Sequence, residues 1–340
     1  MTFASATGAQ QAFPDPVETS RGPDEETMMT TVLVAGATGS LGSLVVRNLL
    51  ARGADVRALV RESSVDKLPA HPRLATCVGD LTDGADALQQ HVDGVEVVVS
   101  AVQGGPEVII DGQRELLRAA ERAGVARMIP SDFSINLHGY GYGVNVLSDL
   151  RRVFSESFAG SAVARTSVAV GAFPEYFLGA VHEVLDPAAG TFSVWGDGTR
   201  PVDITTIPDT AAFTAAIALD PATAGRDVHV VGQQLTMLEL RDEVEAASGR
   251  RWELVRRGTV QDLRAEVARR QFTASALFEY VALQYQVAMY DGTGSLRDVR
   301  NEDYPDVTPT SVSAYLAGPG AAHFREPAAP LRRDDWPTAV

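Results

Sequence analysis

A glycine-rich turn between an apolar strand and an amphipathic helix most strongly constrains how this chain folds. The segment VLVAGATGSLG spaces Gly36, Gly39 and Gly42 evenly after an apolar run that begins at residue 31. Glycines here let the backbone approach a pyrophosphate, and the N-terminus of the next helix offers unpaired N–H groups. No Gly-Lys-Ser/Thr follows, which excludes a P-loop. The segment predicts dinucleotide binding, with a purely structural turn as the alternative, through Gly36, Thr38, Gly39, Ser40, Leu41 and Gly42.

Apolar runs alternate with amphipathic segments through the first half of the chain. The apolar runs occupy residues 31–36, 55–60, 73–79, 95–102, 126–131 and 162–170. Helix-like patterns lie between them at residues 42–53, 84–94 and 112–124. Val- and Leu-rich strands alternating with helices are typical of a parallel sheet covered on both faces. We therefore predict an α/β fold, a Rossmann-type doubly wound parallel sheet with a smaller α/β C-terminal substrate domain.

The pattern along the chain also predicts domain boundaries. Residues 1–28 are acidic, Pro-rich and poor in large apolar side chains, which predicts a disordered tail. A dinucleotide-binding Rossmann domain is expected over residues 29–175, after which the alternation loosens. Residues 176–318 are predicted to form the smaller substrate-binding portion, some segments of which can return to the Rossmann sheet. Residues 319–340 are expected to be a loose tail.

Composition excludes several classes of function. A net charge of −15 argues against binding nucleic acid or an anionic membrane, because phosphate contacts depend on Lys and Arg. Cys77 is the only cysteine and the six histidines show no ligand spacing, so neither a disulfide nor a metal site is expected. No apolar run approaches the ~20 residues of a membrane span, and no secretory leader is recognisable. A cytoplasmic protein, monomeric or homodimeric, is the expectation.

The end of the second strand indicates which dinucleotide is bound. Arg61 stands 19 residues after Gly42, where an NAD-specific site would place an acidic residue on the ribose 2′-hydroxyl. A guanidinium suits a 2′-phosphate, and Ser64 and Lys67 follow closely. The alternative is that Arg61 is a surface arginine and that Glu62 binds a 2′-hydroxyl. We favour NADP(H), with Arg61 and Lys67 as cofactor-binding residues.

Other cofactor contacts are expected where further strands end, because open α/β sheets bind ligands at the carboxyl edge. After the third strand, Asp80 and Leu81 are candidates for the adenine pocket, or else form a polar turn that caps the next helix. The segment after the fourth strand is expected beside the nicotinamide-side ribose, and further candidates stand at the carboxyl end of the fifth strand. The candidates of these two segments are Ala101, Val102, Ser131 and Phe133.

Together these motifs resemble a known family. VLVAGATGSLG, ALVRE, GDLTD, VVVSAV, VARMIPSDFS and GAFPEYFL occur in this order between residues 32 and 178, and the resemblance extends over residues 31–315. They resemble the NmrA-like and isoflavone-reductase-like branch of the atypical short-chain dehydrogenases/reductases, which includes plant reductases and redox-sensing regulators. The resemblance implies NADP(H), a Rossmann domain and a smaller domain that forms a substrate cleft. It also implies that Phe173 belongs to the nicotinamide-side wall.

The chain departs from this family at the catalytic group. In the plant reductases P-S-E-F-G ends the fifth strand, and a lysine further on is the acid–base residue. Residues 130–134 preserve that motif as PSDFS, but the lysine position falls near Leu147 and no lysine follows. Neither Tyr140 nor Tyr142 has a lysine four residues later, so the Tyr-x-x-x-Lys pair is absent too.

A replacement for the lysine must come from nearby polar groups. Tyr142, Asp132 and Asn145 are the candidate catalytic residues, and Tyr142 is the best proton donor on chemical grounds. The alternative is that GYGYG is a lid whose tyrosines, Tyr140 and Tyr142, pack on ligand or face solvent. Asp149 begins a predicted helix, where a structural role is favoured.

These features predict an NADP(H)-dependent oxidoreductase. Its substrate would be a medium-sized, apolar ketone, enone or benzylic compound, aromatic or polyketide-like, reduced by hydride transfer. Phe173, Tyr176 and Phe177 are suited to stacking on an aromatic substrate, although ordinary core packing would use the same residues. Two alternatives stay open because the lysine is missing: an NADP(H)-sensing regulator without turnover, and a non-redox cyclase or isomerase.

Overall fold

The structure is a computed structural model that describes residues 29–324. The tail predicted over residues 1–28 lies outside the described residues. Residues 325–340 of the predicted C-terminal tail lie outside them too. Between residues 29 and 324, no helix combines the length and the apolar character needed to cross a bilayer.

A six-stranded parallel sheet forms the centre of the N-terminal half. The strands lie in the order β3-β2-β1-β4-β5-β6. Successive strands are therefore added on one side of β1 up to β3 and on its other side from β4 onward. Val32 on β1 pairs with Val56 on one side and Val97 on the other. The predicted fold class is therefore confirmed. The six strands are β1 (Thr31–Ala35), β2 (Asp55–Val60), β3 (Leu74–Val78), β4 (Val97–Ser100), β5 (Arg127–Ile129) and β6 (Ala164–Arg165).

Helices cover both faces of this sheet because their apolar sides match the Val-rich strands. On α3, Leu116, Leu117 and Ala120 are buried against one face, and the helix ends at Gly124 in the left-handed conformation. A turn of π-helix precedes α3. The helices of this half are α1 (Gly42–Ala51), α2 (Ala85–Val92), α3 (Gln113–Ala123) and α4 (Val146–Ser155).

The second half of the described chain contributes shorter strands and six further α-helices. In chain order they are β7 (Ser167–Ala169), α5 (Pro174–Phe177), β8 (Leu185–Asp186), β9 (Thr191–Val194), β10 (Pro201–Ile204), α6 (Ile207–Leu219), β11 (Asp227–His229), β12 (Gln233–Thr236), α7 (Met237–Ser248), β13 (Glu253–Arg256), α8 (Val260–Thr273), α9 (Val281–Asp291) and α10 (Val312–Ala317).

Part of this second half packs on the N-terminal sheet. Strand β7 follows β6 after a single residue and pairs in parallel with β11, while α6 packs against α1. A separate apolar core joins β9, α7 and α9 around Phe192, Leu240 and Val287. Residues 319–324, which we expected to be part of a loose tail, instead form a short 3-10 helix. Ala321 is buried there and His323 contacts Tyr315, so that expectation is wrong for these residues.

A buried arginine joins the sheet to α6. Arg127 on β5 is 4% exposed, and its guanidinium donates to the carbonyl oxygens of Ile217 and Ala218 at the end of α6. It also donates to the carbonyl of Asp220 and the hydroxyl of Thr223, just beyond the helix. These acceptors are the unsatisfied carbonyls that a helix leaves at its C-terminus. Arg127 therefore acts as a C-terminal cap supplied by the neighbouring strand.

Replacing this cap should destabilise the protein. Arg127→Met leaves several buried carbonyl groups without a donor, and we expect a loss of about 3 kcal/mol in the free energy of unfolding. The measurement is the urea unfolding midpoint. Arg118→Met is the control, because Arg118 forms an exposed i,i+3 ion pair on α3 that contributes less than about 1 kcal/mol. Equal shifts in the two variants would contradict the capping role.

Candidate functional site

A cavity of about 800 Å³ lies along the carboxyl edge of the parallel sheet. Every residue predicted to bind the cofactor lines it except Gly42. Those lining residues are Gly36, Thr38, Gly39, Ser40, Leu41, Arg61, Lys67, Asp80, Leu81, Ala101, Val102, Ser131, Phe133 and Phe173. Later segments complete the wall, among them α5, the turn after it and α9.

Two positions in the turn after β1, Gly36 and Gly42, have no room for a side chain. Gly36 has φ +75°, and a Cβ there would lie 2.7 Å from the carbonyl oxygen of Ala101. A Cβ at Gly42 would collide with the carbonyl of Gly36, so Gly42 serves the close packing of the turn rather than the cavity lining. Helix α1 begins there without a side-chain cap, which leaves the N-terminal end of its dipole available to an anion.

The ends of β2 and β3 provide the charged end of the cavity. Arg61 is exposed, follows β2 directly and lines the cavity together with Ser64 and Lys67. Glu62 is not part of the lining, so the structure does not support the alternative that it binds a 2′-hydroxyl. Asp80 caps a turn, as one alternative held, and its place in the cavity lining is compatible with the other. Its carboxylate accepts the N–H of Thr82 to cap a 3-10 turn, which lowers its pKa, and the residue also lines the cavity.

The structure places Tyr142, the preferred proton donor, outside the cavity. Its side chain is exposed, and its hydroxyl donates to a carboxylate oxygen of Glu156 at 2.6 Å. That hydrogen bond raises the pKa of Tyr142, which opposes proton donation. Tyr140 is held by Ser148 at 2.7 Å, and the Arg152 guanidinium lies over its ring at 4.5 Å. The GYGYG loop is thus attached to α4.

Asp132 and Asn145 also lie outside the cavity lining. Asp132 is buried and accepts a hydrogen bond from the hydroxyl of Ser167 at 2.8 Å, and its burial raises its pKa. Asn145 is the N-cap of α4, with its side-chain oxygen accepting from the N–H of Ser148 at 2.9 Å. Both side chains therefore have structural partners. The assignment of Tyr142, Asp132 and Asn145 to catalysis receives no support from their positions.

Polar groups that the sequence did not single out line the cavity instead. Arg151 on α4 donates from Nε to the carbonyl of Ser131 at 2.8 Å and from Nη1 to the carbonyl of Leu147 at 2.9 Å. These bonds hold the start of α4 against the end of β5. Leu147, near which the sequence comparison places the family lysine, contributes an apolar surface to the same wall. Glu175 and Tyr285 line the cavity as well.

His182 stands in the turn between α5 and β8 and lines the cavity. Its ring meets Phe177 edge-on at 5.3 Å between centroids. Burial lowers the pKa of His182 to about 4, so the ring is neutral at pH 7. A lone histidine without ligand spacing gives no signal in the sequence. Within residues 29–324 no group of three or more His, Cys, Asp or Glu side chains is arranged to hold a metal ion.

Comparison with known proteins agrees with this arrangement. The model of the NmrA-like family matches residues 28–291. The chain belongs to the NmrA-like family. This match confirms the resemblance drawn from the glycine turn and the PSDFS motif.

Individual relatives share between 25% and 29% of their aligned residues with this chain. Pinoresinol reductase 1 of Arabidopsis thaliana is 25% identical over 315 residues, which cover 87% of this chain and 98% of that protein. The asnovolin J 5′,6′-dehydrogenase of Aspergillus novofumigatus is 29% identical over 231 residues, 64% of this chain and 69% of that protein. A solved structure of AtPrR2 with NADP+ and (+)pinoresinol superimposes with a TM-score of 0.71 at 25% identity, covering 85% of this chain and 98% of that chain.

The buried imidazole predicts a pH-dependent stability. Between pH 6.5 and about 4 the unfolded chain protonates His182 while the folded protein does not, so stability falls as the pH falls. His182→Phe removes this contribution. The measurement is urea unfolding of the ligand-free protein at several pH values. As the pH falls, the free energy of unfolding of the variant should rise relative to that of the wild type by up to about 1.4 kcal/mol per pH unit. The matched change at exposed His71 should follow the wild type, and a constant difference for His182→Phe would contradict the assignment.

Proposed function

We propose that this protein is an NADP(H)-dependent oxidoreductase that reduces a medium-sized apolar ketone, enone or benzylic compound by hydride transfer. The observation that carries the proposal is the continuity of the cavity. One wall runs from Arg61 and Lys67, past the glycine turn, to the apolar surface of α9. A nucleotide cradle and an apolar compartment therefore share one space, which is the arrangement that hydride transfer between two bound molecules requires.

The residues at the sheet edge fit NADP(H). The glycine turn presents its backbone to the cavity, where a pyrophosphate can approach it, and the uncapped start of α1 favours the charge of that group. Arg61 and Lys67 supply cationic groups for a 2′-phosphate. The similarity to AtPrR2, solved with NADP+, supports the same cofactor in this chain.

The cofactor supplies the hydride, and the side chains of this protein bind and orient the two reactants. Ser131 stands at the end of β5, where its hydroxyl donates to the carbonyl of Val102 at 2.6 Å and joins the ends of two neighbouring strands. Phe173, Phe133 and Ala101 give the cavity an apolar wall at this point. Such a wall excludes water from the reacting carbon and favours a flat apolar substrate.

The substrate compartment lies between α4, α5 and α9. Apolar side chains provide its surface, and the cavity remains wide enough for more than a nucleotide. These side chains are Ile135, Leu147, Phe177, Val281, Ala282 and Met289. The relatives named for pinoresinol and asnovolin J support an apolar, ring-containing substrate of medium size.

A sensor that binds NADP(H) without turnover is the second candidate, and Leu147 is the observation that favours it. An apolar side chain at the family's lysine position removes the expected acid–base group. Against it stands the apolar compartment itself, because recognition of a nucleotide does not need a second pocket formed by α9.

Turnover separates the two candidates. Purified protein incubated with NADPH and a panel of aryl ketones, enones, quinones and benzylic ethers should consume NADPH with at least one of them. Absorbance and product mass are followed together, so that a product two hydrogens heavier accompanies each NADPH oxidised. Tight binding of NADPH with no product from any compound would favour the sensor.

Arg61 should determine the selectivity of the site for NADPH over NADH. Arg61→Ala removes a charge-assisted contact to the 2′-phosphate, and we expect the Kd for NADPH to rise about 10- to 100-fold. The Kd for NADH should be unchanged, because NADH lacks that phosphate. Arg47→Ala is the control, since Arg47 is exposed on α1 and does not line the cavity. Equal losses of NADPH and NADH binding would reject the assignment of Arg61.

A further inference from the structure

The side-chain nitrogens of His182 have different surroundings. Nδ1 is shut off from solvent and has no hydrogen-bond partner among the described residues. The residue as a whole keeps part of its surface free and lines the cavity. Nε2 is therefore the nitrogen that can reach a bound molecule.

The surroundings of Nδ1 also decide which tautomer is present. A hydrogen on Nδ1 would be a buried donor without an acceptor, which costs more free energy than a buried nitrogen lone pair of the same ring. The neutral imidazole therefore carries its hydrogen on Nε2. His182 presents an N–H donor to the cavity and has no second proton to give at neutral pH.

The donor is held in place before any ligand binds. The side chain of Gln286 on α9 donates to the carbonyl oxygen of His182 at 2.6 Å, which ties the turn to the helix that carries Tyr285. The edge-on contact with Phe177 fixes the ring from the other side. A donor fixed in this way stabilises charge without reorganising during the reaction.

On the basis of the proposed reductase function, we infer that His182 donates a hydrogen bond from Nε2 to the carbonyl oxygen of the substrate. We further infer that the substrate is an apolar ketone or enone rather than a benzylic ether. No residue has been assigned this role by the resemblance, which places the acid–base group at the position of Leu147.

The chemistry of the two substrate classes explains the choice. Hydride addition to a ketone carbon, or to the β-carbon of an enone, moves the π electron pair onto oxygen. The alkoxide or enolate that forms is stabilised by the Nε2–H of His182, and a proton from water then completes the reduction. A benzylic ether instead requires cleavage of its C–O bond, which expels an alkoxide that needs a proton as it leaves. Neither Leu147 nor a neutral His182 supplies that proton. The carboxylate of Glu175 accepts the backbone N–H of Ile207 at 3.0 Å, and its contribution is tested separately below.

Two substitutions of His182 test the donor. His182→Phe preserves the packing against Phe177 but removes the N–H, and His182→Gln keeps an N–H donor on a shorter side chain. We expect kcat for the ketone or enone to fall about 100-fold in His182→Phe, with partial recovery in His182→Gln. The Kd for NADPH should stay at the wild-type value in both. His71→Phe, at an exposed position outside the cavity, controls for loss of a histidine.

A readout independent of turnover accompanies the kinetics. In 15N-labelled wild-type protein, the ring shifts of His182, assigned by their loss in His182→Phe, should show Nε2 protonated and Nδ1 unprotonated at pH 7. A hydrogen on Nδ1 would overturn the inference. Wild-type kcat in a folded His182→Phe would overturn it too. So would a loss confined to Glu175→Gln, Tyr176→Phe or Tyr285→Phe, at the other acidic and phenolic groups of the compartment.

The outcomes also separate this inference from the proposed function. If the wild type binds NADPH but reduces no compound, the proposed function fails and the role of His182 fails with it. If ketones are reduced equally well without His182, only the donor is rejected. If benzylic ethers are reduced faster than ketones and enones, the substrate class is rejected while the reductase stands.

Discussion

The close contact between the glycine turn and the end of β4 governs the geometry of the site. Gly36 approaches the carbonyl of Ala101 so nearly that a single additional carbon would collide with it. Because β1 and β4 are neighbours where the strand order reverses, this contact opens the crevice in which open α/β sheets bind ligands. Arg61 and Ser131 follow β2 and β5, two parallel strands of the same sheet, and so reach the same edge. The cofactor end of the cavity thus follows from backbone packing.

The substrate end depends on the return of the chain to the sheet. Helix α6 packs on α1, and Arg127 fixes its C-terminus to β5. At the other end of α6, the backbone N–H of Ile207 donates to Glu175 at 3.0 Å, which ties the helix to α5. The turn carrying His182 follows α5 and is bound in turn to α9. These polar contacts connect the two ends of the cavity. The apolar core around β1 and α6 and the apolar core around β9, α7 and α9 are separate.

The sequence predicted the parallel sheet and the cofactor edge because both depend on short-range patterns. A strand, a turn and a helix within about 20 residues determine where Gly36 and Arg61 lie. The catalytic candidates lie outside the cavity lining for the opposite reason. Tyr142 and Asn145 are polar and near the right motif, but their groups are used by Glu156 and by the N-terminus of α4. The position of His182 depends on the turn after α5 packing against α9 across 104 residues of sequence, which local patterns do not report.

Charge is distributed unevenly along the cavity, and this bears on the chemistry it can perform. Arg61 and Lys67 make the nucleotide end cationic, whereas Leu147 and a neutral His182 add no charge to the substrate end. The guanidinium of Arg151 is occupied by two backbone carbonyls. In a low-dielectric compartment a neutral N–H donor is strengthened by the absence of competing water. A site of this kind stabilises the oxyanion formed by hydride addition more readily than it protonates a leaving group. In the reductase that we propose, the absence of a lysine would therefore narrow the range of substrates while hydride transfer from the cofactor remains available.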